Sequence, residues 1–442
     1  MVVKITYLSK YNPWWSEENW EKYDKDLKRV KLLLPRKTVK IEKSKTYIFR
    51  GIRRSGKSVF LKQLVKELLH KGIQPEKIIY ISCDRYSSKE IINLVREIKL
   101  RIGEEIFLFL DEITYLPEWE RLLKILSEED TTIIATGSNP IEIKKRTERL
   151  PGRGIEGNEC CFVPFSFREF LNFNKISAKG FPPEKPEIER FFQNFDKIEG
   201  LFFKYLITGG FPKAVTEMLK SGKVSEDCFE EVIRVLLGDI SKTGKSESIA
   251  KDIFSYLLDI RGSRTDYYSI AKEIGISHVT VREYLELLED CGAVFVLEAW
   301  DISKKTHSKR KQKKIIFQSS FIPLALAKYI YGLDYREILE FLDENAEWIV
   351  EHAVISHVLW SKLEPVTREK HTFAGFYYTD KECDLVLFER GRFFGIEVKY
   401  GKVKKYRYPF DVIYISKDEI EGNNVLPASL YLAGIEKSKK VI

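Results

Sequence analysis

TYIFRGIRRSGKSVFLKQLVKELL, Thr46 to Leu69, is the stretch on which the fold turns. Its centre, GIRRSGKS from Gly51 to Ser58, fits G-x-x-x-x-G-K-[ST]. An apolar run, Tyr47 to Arg50, reads as a strand before it, and VFLKQLVKELL reads as an amphipathic helix after it. Binding phosphate needs that order of parts. Glycines let backbone N–H groups curl around an anion, and the helix N-terminus adds positive potential. Gly51, Arg54, Ser55, Gly56, Lys57 and Ser58 are the candidate nucleotide contacts. Lys57 is long enough for β- and γ-phosphates, and the Ser58 hydroxyl is a candidate Mg²⁺ ligand.

Two further strands complete the pattern. IFLFLDE ends an apolar run, Ile106 to Leu110, with Asp111 and Glu112. Acids at the carboxyl end of a parallel strand lie where open α/β sheets bind ligands. Asp111 is a candidate to hold Mg²⁺ through water, and Glu112 to polarise an attacking water. IIATGSNP, Ile133 to Pro140, follows the same rule and offers Thr136, Ser138 and Asn139 near a γ-phosphate, with Ser138 favoured. Arg153, in LPGRG, is the candidate cation for transition-state charge. Strands alternating with helices from Thr46 to about Pro164 imply a parallel sheet. A strand intervening between the phosphate loop and the Asp-Glu strand implies the additional-strand class of P-loop ATPases.

The rest of the chain bounds the reading. With 442 residues there is room for several domains, and a net charge of +8 permits an acidic partner without requiring one. No signal peptide and no run of the roughly 20 apolar residues of a membrane span is visible, and the six scattered cysteines lack zinc spacing. The expected setting is cytoplasmic, with no membrane role; self-association as a homo-oligomer stays open. The opening 45 residues read as a leader, with a helix expected to start at Ser16. Trp14, Trp15 and Trp20 are either an aromatic ligand face or, the blander reading, packing onto the next domain.

VPFSFREFL, Val163 to Leu171, and YLITGGFPKAV, Tyr205 to Val215, together with GIRRSGKS, FLFLDEI, ATGSNP and PGRG, resemble a prokaryotic, archaeal-type family of AAA-related P-loop ATPases. That family joins the ATPase core to a winged helix and a C-terminal PD-(D/E)xK, restriction-endonuclease-like domain. The resemblance implies an α/β multidomain chain: a leader over 1–45, an additional-strand P-loop core over 46–165 and a helical lid over 166–244. A winged helix-turn-helix with a basic linker would span 245–314, and a nuclease-like α/β domain 315–442. ATP and Mg²⁺ are the expected cofactors, with Mn²⁺ possible at the nuclease-like site, and DNA is the expected partner.

The residues bear on each part. Thr265 to Trp300 reads helix, Gly-containing turn, helix, strand, with Ile270, Ala271, Ile274, Ile276, Val279, Val281, Tyr284, Leu285 and Leu288 as core. His278, Thr280 and Arg282 would face DNA. Glu283, Glu286, Glu289 and Asp290 on the same helix argue against base readout, because carboxylates repel a phosphate backbone. The run KKTHSKRKQKK, Lys304 to Lys314, has seven basic residues and no acid; as a wing or linker it could grip phosphates, with Lys309, Arg310 and Lys311 at its centre.

Finally, CDLVLFERGRFFGIEVK, Cys383 to Lys399, reads as a hairpin. With Arg390-Gly391 as a two-residue turn, Asp384 falls opposite Glu397, and Lys399 shares their face. This is the D…ExK arrangement in which a divalent ion activates water, and Lys399 would orient or deprotonate that water. Ala346 to Trp360 is apolar nearly all round, so Glu351 in its middle needs a partner or a metal. The resemblance places this helix at the start of the nuclease-like fold with its acid at Glu351, so the candidate metal set it implies is Glu351, Asp384 and Glu397. Two functions follow: an ATPase coupled to a metal-dependent DNA nuclease, or an ATP-driven switch whose C-terminal domains only bind DNA or protein.

Overall fold

The alternation of apolar runs and helices gives a parallel sheet in the computed structural model, which describes residues 8–29, 34–36, 39–137, 158–177, 180–363, 373–439 and 441–442. The chain divides into two compact units, 1–163 with Ile442, and 164–441. In the first unit, β1 (Thr46–Gly51) leads into α1 (Lys57–His70). Then come β2 (Ile78–Ser82), α2 (Ser88–Ile102), β3 (Phe107–Asp111), α3 (Trp119–Glu128), β4 (Thr132–Gly137) and β5 (Glu159–Phe162). The strand order is β2-β3-β4-β1-β5, all parallel. Strand β4 thus lies between the loop-bearing β1 and the Asp-Glu strand β3, the additional-strand order. Near-continuous apolar strands such as Ile106–Leu110 follow from burial on both faces of the sheet.

The leader packs. Trp14 and Trp20 are buried edge to face at 5.2 Å and join the core of α1. The expected helix at Ser16 does not form; Pro13–Trp15 and Trp20–Lys22 are 3₁₀ turns, with Ser16 closing the first. Hydrogen bonding to a strand edge explains why. Asn12 donates to the Tyr80 carbonyl at 3.0 Å and accepts from the Tyr80 N–H at 2.6 Å, and both indole N–H groups of Trp14 and Trp15 donate to the Ile78 carbonyl. The leader so satisfies the open edge of β2, which would otherwise offer unpaired backbone groups. Asp24 then reaches Lys62 of α1 at 3.0 Å, the side chains 3% and 2% exposed. Burial pulls Lys62 down from the usual lysine range, opposed by Asp24.

In the second unit, α4 (Phe167–Phe173), α5 (Phe195–Thr208), α6 (Pro212–Ser221), α7 (Glu226–Ser241) and α8 (Glu247–Asp259) precede α9 (Tyr267–Ile274) and α10 (His278–Asp290). A hairpin of β6 (Val294–Asp301) and β7 (Thr306–Phe317) follows, then α11 (Phe321–Tyr331), α12 (Tyr335–Glu344) and α13 (Ala346–Lys362). The last elements are β8 (Ala374–Tyr378), β9 (Glu382–Glu389), β10 (Arg392–Lys399), β11 (Asp411–Ser416), β12 (Val425–Pro427) and α14 (Ala428–Gly434). The seven strands form one sheet in the order β12-β11-β10-β9-β8-β6-β7. A single strand, β7, therefore runs through positions 314 and 315, between which the sequence suggested a boundary. Val279 is 53% exposed rather than core, because it opens α10 on the solvent side; Ile270, Val281, Leu285 and Leu288 are buried as expected.

Helix α13 is buried nearly throughout, as its all-round apolar sequence requires. Its His357 binds the α4 and α5 region: Nε2 accepts the Phe167 N–H at 3.0 Å and lies 3.0 Å from the Tyr205 hydroxyl, while Nδ1 donates to the Ala353 carbonyl. Burial pushes its pKa down to about 4.

Two outcomes follow. Asp24→Ala strands a buried ammonium and should cost about 3 kcal/mol in urea unfolding of the first unit, most of it recovered by adding Lys62→Met. His357 stays neutral in the native state until about pH 4, whereas an unfolded histidine protonates below about 6.5. Its contribution to stability is thus full above pH 6.5 and falls by about 3 kcal/mol towards pH 4; His357→Gln should flatten that slope in a urea-midpoint series against pH.

Candidate functional site

The phosphate loop is held from behind. Ser55 is fully buried, its hydroxyl donates to the Ile52 carbonyl at 2.7 Å, and its own carbonyl accepts from Arg36 at 2.7 Å. Arg36 also donates to the Val163 carbonyl at 3.0 Å, so one guanidinium ties the loop to the segment after β5. Gly51 lies against β5: a Cβ there would sit 2.1 Å from the Phe162 carbonyl oxygen, so this glycine serves strand approach. Gly56 caps α1 at φ 92, a left-handed conformation that costs glycine little. Lys57 curls back on its own loop, donating to the carbonyls of Gly51 at 2.8 Å and Ile52 at 3.1 Å. Arg54 also takes a left-handed conformation, at φ 66, and Ser58 stands in the first turn of α1.

The acids at the end of β3 are seated by hydroxyls. Tyr80, on neighbouring β2, donates to Asp111 Oδ2 at 2.5 Å, and Thr136, on neighbouring β4, donates to Oδ1. The same Thr136 oxygen accepts the Glu112 N–H at 3.1 Å. Thr136 is therefore committed to positioning both acids, which removes it from the candidates for sensing phosphate. Glu112 takes a left-handed backbone at φ 58, unusual for a non-glycine residue and typical of strain kept at working positions. Ser138, Asn139 and Arg153 lie outside the described residues. Tyr80 and Arg36 had no signal in the sequence: a strand tyrosine and a leader arginine look like any other.

The C-terminal hairpin forms with the expected register, Arg392 opposite Glu389 and Ile396 opposite Leu385. Arg390 and Gly391 both have positive φ, as a tight hairpin turn requires. Beyond Leu385 the ladder ends, so the expected pairing of Asp384 opposite Glu397 is not part of it; the Asp384 carboxylate turns to the backbone instead, Oδ2 accepting the Val398 N–H at 2.8 Å. Its other oxygen faces a lysine. Lys314, on β7, is buried, and its ammonium lies 2.5 Å from Asp384, 2.7 Å from Glu382 and 2.7 Å from Glu351. The first two contacts have hydrogen-bond geometry; the third is an ion pair by distance, off the hydrogen-bond direction. Burial alone would lower the Lys314 pKa, but Asp384, Glu351 and Glu382 hold it well above the usual range. Glu382 Oε2 is taken by Arg264 at 2.6 Å.

Glu397 pairs with Lys399 at 2.7 Å, and its second oxygen is buried without a hydrogen-bond partner. Burial and then Asp384 push Glu397 up; Asp384 and Glu397, against burial, push Lys399 up, so it is a poor base. The structure thus brings Glu351 and Asp384 together around Lys314, with Glu397 and Lys399 paired beside them. This donor set does not fit a divalent ion: both Asp384 oxygens are engaged, and an ammonium stands between the acids. Among the described residues no group of three His, Cys, Asp or Glu side chains could hold a metal ion. The sequence reading placed Lys314 at the end of a basic wing or linker; the run enters the sheet as β7, with Lys313 and Lys314 both buried.

On α10, His278 stacks on the exposed Tyr268 at 4.3 Å, and the Ser277 hydroxyl caps the Thr280 N–H. Arg282 is paired with Glu286, Lys245 with Glu283, and Glu289 accepts the Val296 N–H. Glu283, Glu286 and Glu289, expected to repel a phosphate backbone, are thereby engaged. The side chains of Lys309, Arg310 and Lys311 lie outside the described residues. No described helix is long and apolar enough to cross a membrane.

Residues 43–171 match the model of an AAA domain, and residues 199–329 match a domain of unknown function, DUF8612. An uncharacterized protein of Haemophilus influenzae is 27% identical over 310 residues, 66% of this chain and 72% of its own length. An uncharacterized protein of Methanocaldococcus jannaschii is 26% identical over 343 residues, 72% and 68% of the two lengths. Among solved structures, a DNA replication initiation factor has a TM-score of 0.22 at 14% identity, covering 68% of this chain and 88% of its own. The Bacillus subtilis DNA clamp loader delta protein has 0.24 at 9%, covering 70% and 95%. At those scores neither structure bears on this chain. The AAA match does: the chain carries an AAA-related P-loop domain, a nucleotide-binding fold that generally works with Mg²⁺.

Tyr80→Phe removes a donor from a buried carboxylate and should lower stability by about 2 kcal/mol in urea unfolding, the size expected of a hydrogen bond to a charged group.

Proposed function

We propose that the chain is an AAA-type ATPase that works as a nucleotide-driven switch, its second unit binding DNA or a protein partner without cutting it. The observation that carries the ATPase half is the shared seat of Asp111 and Glu112 on the Thr136 hydroxyl. It fixes two acids at the carboxyl end of a strand separated from the phosphate loop by β4 alone. In this reading the loop amides and Lys57 hold the β- and γ-phosphates, Lys57 leaving the carbonyls of Gly51 and Ile52 to do so. Ser58 and, through water, Asp111 would hold Mg²⁺, which would neutralise phosphate charge. Glu112 polarises the attacking water. Ser138 as phosphate sensor and Arg153 as transition-state cation belong to the same reading.

The ammonium of Lys314 favours binding over cutting. A nuclease of the D…ExK kind needs its acids free to share an ion, and here the acids hold a lysine instead. Contact with DNA would fall to the exposed start of α10, His278, Thr280 and Arg282, and to the basic strand carrying Lys309, Arg310 and Lys311. The second reading, ATP-coupled DNA cleavage, rests on the hairpin register, which runs to Ile396 opposite Leu385 and ends one step short of Asp384 and the Glu397–Lys399 pair.

Purified protein with Mg²⁺ should turn over ATP, Lys57→Ala should abolish turnover, and Glu112→Gln should keep ATP binding while slowing hydrolysis about 10²-fold or more. Supercoiled plasmid incubated with protein, ATP and Mg²⁺ or Mn²⁺ should stay intact. Nicking that Lys399→Ala removes would select the cleavage reading, and unchanged turnover in Lys57→Ala would sink the ATPase reading.

A further inference from the structure

The acidic cluster of the second unit has a charge balance that can be counted. Among the described residues, four carboxylates, Glu351, Glu382, Asp384 and Glu397, meet three cations, Lys314, Arg264 and Lys399. Lys314 is the only one of the three that touches more than one of these acids, and it is the most deeply buried, at 2% exposed. An ammonium has three N–H donors, and here it has three carboxylate neighbours, each from a different element or position: Glu351 from α13, Glu382 and Asp384 from β9. The lysine arrives from β7, opposite Leu297 of β6, so backbone pairing fixes where its chain starts. Such a group is not a loose surface lysine that has fallen in.

We infer that Lys314 is the resident cation of this cluster: its ammonium stands where a divalent ion would otherwise bridge Glu351 and Asp384, so the native chain takes up no such ion there, and removal of the lysine's charge creates a divalent-cation site. Substituting Met at 314 leaves two cations against four acids. The formal excess is two negative charges around the buried Asp384 and Glu397 carboxylates, which one divalent ion neutralises. The freed oxygens, one each from Glu351, Asp384 and Glu382, are hard oxygen donors of the kind Mn²⁺ and Mg²⁺ prefer. The unpartnered buried oxygen of Glu397 lies in the same group of charges.

The inference concerns the same cluster as the switch reading and rests on the same ion-pair geometry, but metal uptake without DNA separates the two: a chain that fails to cut for another reason would still reveal its metal. Mn²⁺ alone is the probe. Binding to nucleotide-free, full-length protein is followed by loss of the free-ion electron paramagnetic resonance signal. Lys314→Met and Lys314→Gln should each take up one Mn²⁺ per chain more than wild type, and adding Asp384→Asn should remove it. Melting supplies a second readout: Mn²⁺ should raise the melting temperature of Lys314→Met by several degrees and leave wild type unmoved, since a ligand bound only by the native state stabilises it. Folded Lys314 variants that gain no ion overturn the inference. So does Mn²⁺ uptake by wild type that Asp384→Asn abolishes, an arm that decides the matter even if both Lys314 variants fail to fold.

Discussion

An ammonium taken out of water must be given back its charge partners, and this requirement organises the second unit. Lys314 is buried on β7 among Asp384, Glu351 and Glu382. Removing the lysine strands several carboxylates where the dielectric is low, a loss that typically exceeds what the pairs contribute. The lysine on β7 is therefore what lets the acid on α13 and the acids on β9 lie together. They pin a helix and two strands that are not adjacent in the sheet, β7 and β9 being separated by β6 and β8. Sheet order, helix position and the abrupt end of the β9–β10 ladder at Leu385 are consistent with that single constraint.

The first unit solves a related problem with different parts. Lys62 is buried against Asp24 and lies 3.4 Å from the centre of the Tyr80 ring, and Tyr80 in turn donates to Asp111. A leader carboxylate, a helix lysine, an edge-strand tyrosine and a strand-end acid thus form one chain of contacts. The leader is more than a cover: it closes the edge of β2 through Asn12, Trp14 and Trp15, and its Asp24 supports the lysine under the tyrosine that seats Asp111.

Much of this was legible in the sequence, and the limits are physical. The phosphate loop, the Asp-Glu strand and the strand order follow from local patterns, because spacing and apolar runs are carried by neighbouring residues. The hairpin register followed from turn chemistry at Arg390-Gly391 alone. What sequence could not reveal was pairing across long separations. Lys314 lies in a run of like charges, and nothing in KKTHSKRKQKK marks the point at which the strand passes from solvent to core. Val279 was assigned to the core by periodicity and is exposed, standing in the first turn of α10, before the buried face begins at Val281. The helix expected at Ser16 lost to hydrogen bonds with β2, an outcome that depends on partners 63 to 68 residues away.

Lys57 and Arg36 brace the phosphate loop from two sides. Lys57 donates to the carbonyls of Gly51 and Ile52, and Arg36 donates to that of Ser55. Three carbonyls of one turn are thus tied to two long cationic side chains, and internal bonds set its curvature. A backbone ordered in this way loses little conformational freedom on meeting a ligand, because the cost of ordering has been met within the fold.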